Sequence, residues 1–147
     1  MRIAAARAED FDGLFALVVA FYAEGGFTTP DSVLRRNLLS LTESDTARVC
    51  VADNDDRLLG FAVTTTSFGL EHGLIAELED LYVIPAARRH GVATALIDDG
   101  ATWARTRGCH HLELVIAPTG RDDAHLDGFY RSRGFHDDGR RLLTREL

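Results

Sequence analysis

The chain has 147 residues, 46% hydrophobic and 27% charged, which predicts one compact, soluble domain spanning residues 1–147. The formal net charge of −7 argues against broad nucleic-acid binding, because phosphate contacts need a basic face, and it favours a cationic ligand. All sixteen basic side chains are arginine, so a Walker loop, a Schiff-base lysine and a Ser-Lys dyad are excluded.

The sequence also indicates where the chain resides. No apolar run approaches membrane-spanning length, and charged residues such as Arg2, Arg7 and Glu9 interrupt the start of the chain, unlike a signal peptide. The cytoplasm is therefore predicted. Cys50 and Cys109 lie in apolar surroundings and are predicted to be buried free thiols.

Apolar spacing and turn residues predict alternating strands and helices. The predicted elements, in chain order, are a strand at Ile3–Arg7, a helix at Ala8–Tyr22, a helix starting near Thr29-Pro30, strands at Arg48–Ala52 and Leu58–Phe68 around the turn Asp53–Asp56, a long strand at Leu74–Ile84, a helix at Val92–Arg107, a strand at His111–Ala117, a helix at Asp122–Arg133 and a closing hairpin around Asp138-Gly139. This order predicts a mixed α/β fold. Within it, residues 74–117 form a strand–helix–strand unit that we expect to be parallel and right-handed.

The segment "RRHGVAT" opens the predicted helix at Val92 and has the chemistry of a pyrophosphate cradle. The first amides of a helix lack intrahelical partners and lie at the positive end of its dipole. Gly91 allows a tight turn, and Arg88 and Arg89 add donors that match phosphate oxygens. The alternative is that two arginines in a loop are simply solvated.

The block "LEDLYVIPAARRHGVATALI…GCHHLELVI…FYRSRGF" resembles the GNAT superfamily of acyl-CoA-dependent N-acetyltransferases. The family's (Arg/Gln)-x-x-Gly-x-(Gly/Ala) signature matches Arg88, Gly91 and Ala93, and its late "FY…GF" element matches the segment 129–135. The resemblance implies a mixed sheet of about six to seven strands with about four helices. It also implies that the sheet splays between its two central parallel strands.

The resemblance further implies acetyl-CoA as co-substrate. The pantetheine arm would lie against main-chain groups of Leu81 and Val83, like an added strand. A main-chain N–H near Leu81 or Tyr82 would stabilise the oxyanion of the thioester carbonyl. The implied pyrophosphate contacts are Arg88, Arg89, His90, Gly91, Val92, Ala93 and Thr94.

Three residues are candidates for catalysis. A protonated amine needs a general base, and by resemblance Glu79 is the first choice, with Asp80 as the second. Strand alternation places the two on opposite faces, although a family bulge in this strand could change which one faces the thioester. The alternative is a solvated strand end. Tyr130 matches the family tyrosine that protonates the leaving thiolate, and it could equally pack in the core.

One position departs from the family pattern. Many members have an asparagine near the start of the last helix that reaches the cofactor, whereas this chain has Asp122 and Asp123. An aspartate cannot donate a hydrogen bond as an amide does. Asp123 is retained as a candidate cofactor contact, and its alternative role is to cap the helix.

The acceptor is predicted to be a small cationic amine, such as a polyamine, an aminoglycoside or a diamino acid. Acidic and aromatic residues favour such a ligand, and the candidate acceptor contacts are Tyr22, Glu24 and Glu77. The alternatives are a protein N-terminal acetyltransferase and a catalytically silent acyl-CoA sensor. A homodimer is possible by family resemblance. "CHH" at residues 109–111 lacks a second ligand pair, so no metal is predicted.

Overall fold

The fold is that of a computed structural model, which describes residues 1–55, 57–117 and 123–147. The chain forms two compact units, Met1–Val115 and Ile116–Leu147, which are described separately. The elements in chain order are β1 (Arg2–Ala5), a 3-10 turn (Ala8–Asp10), α1 (Phe11–Glu24), α2 (Asp31–Thr42), β2 (Ala47–Asp53), β3 (Leu58–Gly69), β4 (Gly73–Val83), a second 3-10 turn (Pro85–Ala87), α3 (Val92–Thr106), β5 (Leu112–Glu113) and α4 (Asp123–Arg131).

The first unit contains a single sheet with the strand order β1-β2-β3-β4-β5. The first four strands pair antiparallel, and β5 pairs parallel to β4. The parallel pairing joins only Ala76 to Leu112 and Glu77 to Glu113. From Leu78 onward, no strand of the described residues pairs with this edge of β4, so the two parallel strands part there.

Helices cover both faces of this sheet. Leu14 and Val18 of α1 and the buried leucines of α2 form one core with Val51, Phe61 and Tyr82 of the strands. On the other face, α3 packs against β2, β3 and β4. Both cysteines are buried free thiols.

The observed elements confirm the mixed α/β fold and the parallel strand–helix–strand unit, but they correct two predictions. The described sheet has five strands, and β5 is only two residues long because it leaves β4 after Glu77. The predicted closing hairpin is wrong, since residues 135–147 contain no strand. Leu142 and Leu143 are largely exposed there, and a two-stranded hairpin without further partners is marginal in water.

The last residue of the predicted Asp53–Asp56 turn and the first residue of the predicted helix Asp122–Arg133 lie outside the described residues. Among the described residues, no helix combines the length and apolarity needed to cross a membrane.

Helix α3 lies close to the sheet at Gly100. A Cβ built on Gly100 would lie 2.7 Å from Oγ1 of Thr64, a residue that is only 1% exposed. We expect Gly100→Ala to lower the free energy of unfolding by about 1–3 kcal/mol, because a buried neighbour must move. Chemical denaturation measures this loss.

Two variants control for that prediction. Gly128→Ala in α4 places its Cβ in open space, and we expect it to gain up to about 1 kcal/mol from helix propensity. Thr64→Ala removes the clashing oxygen, so Gly100→Ala should be less damaging in that background. Equal losses from Gly100→Ala in both backgrounds would contradict the steric explanation.

Candidate active site

A β-bulge in β4 determines the arrangement of the acidic residues. Val63 of β3 pairs with Asp80, whereas the next residue, Thr64, pairs with Leu78, so Glu79 is an extra residue. A bulge changes the facing of the residues that follow it. Asp80 consequently contacts α1, while Thr64, the partner of Leu78, faces α3.

The bulge also brings Glu79 to the α1 side. Thr65 pairs with Glu77 and lies on the face opposite Thr64, and its hydroxyl donates a 2.6 Å hydrogen bond to Glu79 Oε1. Glu77, Glu79 and Asp80 therefore share one face. Regular alternation would place Glu79 and Asp80 on opposite faces, and that expectation is wrong. The bulge, which the family resemblance had left open, interrupts the alternation.

Asp80 is one of the two partly buried members of this acidic group. The Tyr22 hydroxyl of α1 donates a 3.1 Å hydrogen bond to Asp80 Oδ1. Burial raises the pKa of Asp80, the Tyr22 hydrogen bond opposes that rise, and the nearby charge of Glu79 adds to it. Burial and Asp80 together raise the pKa of Tyr22 to about 12, so its hydroxyl stays protonated at neutral pH.

Glu77 lies in a similar environment. Burial raises its pKa first, and the neighbouring carboxylates Glu79 and Glu113 raise it further. Glu113 and Thr65 were not among the predicted site residues. Their contribution depends on strand register, for which the sequence carries no local signal.

A second group of contacts surrounds Glu24, at the end of α1. The Tyr82 hydroxyl donates to Glu24 Oε2 at 3.0 Å, and the Arg88 guanidinium donates to Glu24 Oε1 at 2.6 Å. Arg88 lowers the pKa of Glu24, with a smaller contribution from Tyr82. Glu24 thus forms an ion pair with Arg88, which was predicted to bind the cofactor.

Beyond Glu77, no strand of the described residues pairs with one edge of β4. The Ile84 N–H donates to Leu59 O on β3, so alternation directs the main chain of Tyr82 towards β3 and that of Leu81 and Val83 outwards. Arg88 Nε donates to the Val83 carbonyl at 2.9 Å, in agreement with this direction. Of the two residues predicted to supply an oxyanion donor, Leu81 has its amide on this edge.

The loop between β4 and α3 contains two residues with positive φ. Gly91 is the N-cap of α3 with φ of +81°, and the preceding Arg89 also has a positive φ of +66°. Ala95 donates to Gly91 O, so Val92 and Ala93 lie in the first turn of the helix, where amides precede the intrahelical ladder. His90 Nδ1 lies 2.7 Å from Arg88 O.

The predicted acid Tyr130 belongs to α4 in the second unit. Its ring packs edge-on against Phe129 and Phe135, and burial raises the pKa of its hydroxyl. The core-packing alternative and a protonated hydroxyl are both compatible with this environment. Asp123 begins α4, and its side chain lies outside what the structure describes.

Other polar features lie apart from these residues. One surface cleft of about 420 Å³ is lined by residues of β1, the first 3-10 turn and the β2–β3 connection, including Arg2, Asp53 and Arg57, and by none of the predicted site residues. Arg2 is paired there with Asp53. Within the described part of the chain, no three His, Cys, Asp or Glu side chains are grouped so as to hold a metal ion.

Comparisons with known proteins agree with this architecture. The profile of the family described as "Acetyltransferase (GNAT) family" matches residues 11–135. An aminoglycoside N(6')-acetyltransferase type 1 from Klebsiella aerogenes is 45% identical over 77 residues, which cover 49% of this chain and 51% of that protein. The chain spans about half the length of the curated relatives it matches.

Solved structures match over the whole chain. A probable acetyltransferase is 26% identical with a TM-score of 0.85, covering 100% of this chain and 98% of the other. Aminoglycoside acetyltransferase AAC(6')-Iy, solved with a bisubstrate analogue of CoA, has a TM-score of 0.85 at 19% identity, covering 99% and 97% of the two chains. At that identity, the second match is evidence for the fold alone.

The raised pKa of Asp80 predicts a gain in stability on neutralisation. The folded-state pKa exceeds the unfolded value of about 3.9, so this residue's contribution to stability falls as pH rises from the unfolded to the folded pKa. Asp80→Asn stays neutral and can still accept from Tyr22. We expect it to be more stable than the wild type at pH 7, with the difference shrinking as pH falls towards about 4.

Urea unfolding across this pH range measures the difference, and Asp98→Asn, at an exposed position of α3, is the control. A loss of stability in Asp80→Asn at pH 7, or a gain that does not change with pH, would contradict the conclusion that burial raises the pKa of Asp80 and makes its charged form unfavourable.

Proposed function

The chain belongs to the GNAT acetyltransferase family, and on this premise we propose that it transfers the acetyl group of acetyl-CoA to a primary amine of a small cationic acceptor. One observation carries the proposal: the bulge at Glu79 gathers three carboxylates on the strand whose end leads into the Gly91 cradle. Aminoglycoside acetyltransferases among the relatives support an amine acceptor.

The chain's main-chain groups fit a CoA thioester. The pantetheine arm would lie along the edge of β4 at Leu81 and Val83, as an added strand does. Its diphosphate oxygens would accept hydrogen bonds from the main-chain N–H groups of Gly91, Val92 and Ala93, at the positive end of the helix dipole. Glycine at position 91 suits this role, because the residue has a positive φ and nothing lies within 4 Å of where its Cβ would be.

The acidic group would deprotonate and hold the acceptor. Glu79 is the proposed general base, since its carboxylate is exposed and accepts a hydrogen bond from the Thr65 hydroxyl that would orient it. Asp80, fixed by Tyr22, and Glu77 would bind the cationic groups of the acceptor. Their clustered negative charge favours a polyamine, an aminoglycoside or a diamino acid over a neutral amine.

The reaction needs no covalent enzyme intermediate. The amine nitrogen loses a proton to Glu79 and attacks the thioester carbonyl within a ternary complex, and the C–S bond breaks as the amide forms. The departing thiolate takes up a proton. Tyr130 stays the predicted donor of that proton, and the predicted cytoplasmic location and homodimer also stay predictions.

We expect thiol release from acetyl-CoA to be fastest with acceptors that carry two or more amines. Release is measured across polyamines, aminoglycosides, diamino acids and peptides with neutral N-termini. Equal rates on neutral peptides and polyamines would contradict the proposed acceptor class. CoA binding without turnover on every amine would favour a sensor over an enzyme.

Two variants calibrate that assay. Glu79→Gln should lower kcat by about 10²–10⁴-fold, the range typical of a lost general base, while CoA affinity is retained. Glu43→Gln, at an exposed position after α2, should leave kcat unchanged.

Gly91 allows a test of the cradle itself. Alanine at a positive φ is strained by about 1–2 kcal/mol, and relief of that strain would turn the neighbouring amides away. We therefore expect Gly91→Ala to weaken CoA binding about tenfold, which corresponds to about 1.4 kcal/mol. Isothermal titration calorimetry with CoA measures this change.

The matched control is Gly108→Ala, which lies just beyond the other end of α3 with φ of +92° and similarly open space. Both variants should lose stability, and only Gly91→Ala should lose CoA affinity. Unchanged affinity in Gly91→Ala would contradict the proposed cradle.

A further inference from the structure

Glu24 lies where α1 meets both the acidic strand and the cofactor loop. On composition and position it was predicted to contact the acceptor, but its two carboxylate oxygens are already engaged. One accepts from the Tyr82 hydroxyl at 3.0 Å and the other from the Arg88 guanidinium at 2.6 Å. Each oxygen of Glu24 therefore already accepts a hydrogen bond within the protein.

Arg88 is held at several points. Its Nε donates to the Val83 carbonyl at 2.9 Å, and its Nη2 donates to Glu24 Oε1. Its guanidinium carbon lies 5.7 Å from the centre of the Tyr82 ring. Its own carbonyl lies 2.7 Å from His90 Nδ1. The residue therefore connects the end of β4, the end of α1 and the loop that leads to Gly91.

These contacts act on the part of the chain that must be preorganised for a diphosphate. The loop passes through two positive φ values, at Arg89 and Gly91, before α3 begins. A residue other than glycine, such as Arg89, keeps a positive φ only when its surroundings fix it. The contacts of Arg88 with Glu24 and Val83 attach the start of this loop to α1 and to β4.

We propose that Glu24 is a positioning residue for the cofactor side of the site, acting through Arg88, and that it does not bind the acceptor. This inference rests on the proposed function. Tyr82, which donates to Glu24 from β4, takes part in the same set of contacts through its side chain. The acceptor's cationic groups are then left to Glu77, Glu79 and Asp80.

A double-mutant cycle of Glu24→Gln and Arg88→Gln tests the proposal, with the Kd for CoA and the KM for the best amine as separate readouts. Glu24→Gln should raise the Kd for CoA about 3–10-fold and change the acceptor KM by less than about twofold. In the Arg88→Gln background, Glu24→Gln should have no further effect on the Kd. Asp12→Asn, a 94% exposed carboxylate on the same helix, should match the wild type in both readouts.

A raised acceptor KM with an unchanged Kd for CoA would overturn the proposal, because it would place Glu24 in the acceptor site. Tighter CoA binding by Glu24→Gln would also overturn it, since Glu24 would then compete with the diphosphate for Arg88. Additive effects in the cycle would show that Glu24 does not act through Arg88. If the wild type binds no CoA, the proposed function fails first and the inference fails with it.

Discussion

The site depends on one extra residue in β4. Without the bulge at Glu79, Asp80 would share a face with Leu78 and Ala76, and its carboxylate would be directed to the side that α3 covers. A charge buried among apolar side chains is strongly disfavoured. The register shift places the carboxylates opposite α1 and leaves the apolar residues under α3, so the same strand supplies both core and chemistry.

Two phenol–carboxylate hydrogen bonds join this strand to α1 in opposite directions. Tyr22 of α1 donates to Asp80 of β4, and Tyr82 of β4 donates to Glu24 of α1. Phe21 packs between them, with its ring 5.4 Å from that of Tyr82. Each of the two elements therefore fixes a carboxylate of the other, and the same pair of elements supports both the proposed acceptor side and the proposed cofactor side.

The sequence predicted the elements that have local signals. It did not predict the features that depend on which strands pair and in which register. Apolar spacing located the helices, and Gly91 before an amphipathic run predicted a tight turn where α3 begins. The structure shows that turn as a left-handed residue. The bulge was left open only by the family resemblance, because its position depends on how β3 pairs with β4, which no local pattern reports. The extent of β5 and of any strand in residues 135–147 likewise depends on strand pairing. Residue patterns alone therefore predicted more strand than the structure shows.

A crystal structure with CoA bound tests the account most directly. The account predicts diphosphate oxygens within hydrogen-bonding distance of the Gly91, Val92 and Ala93 amides, and pantetheine amides paired with Leu81 and Val83. It also predicts that the thiol lies nearest to the face bearing Glu79 and Asp80. A diphosphate bound elsewhere, or a thiol on the α3 side of β4, would contradict it.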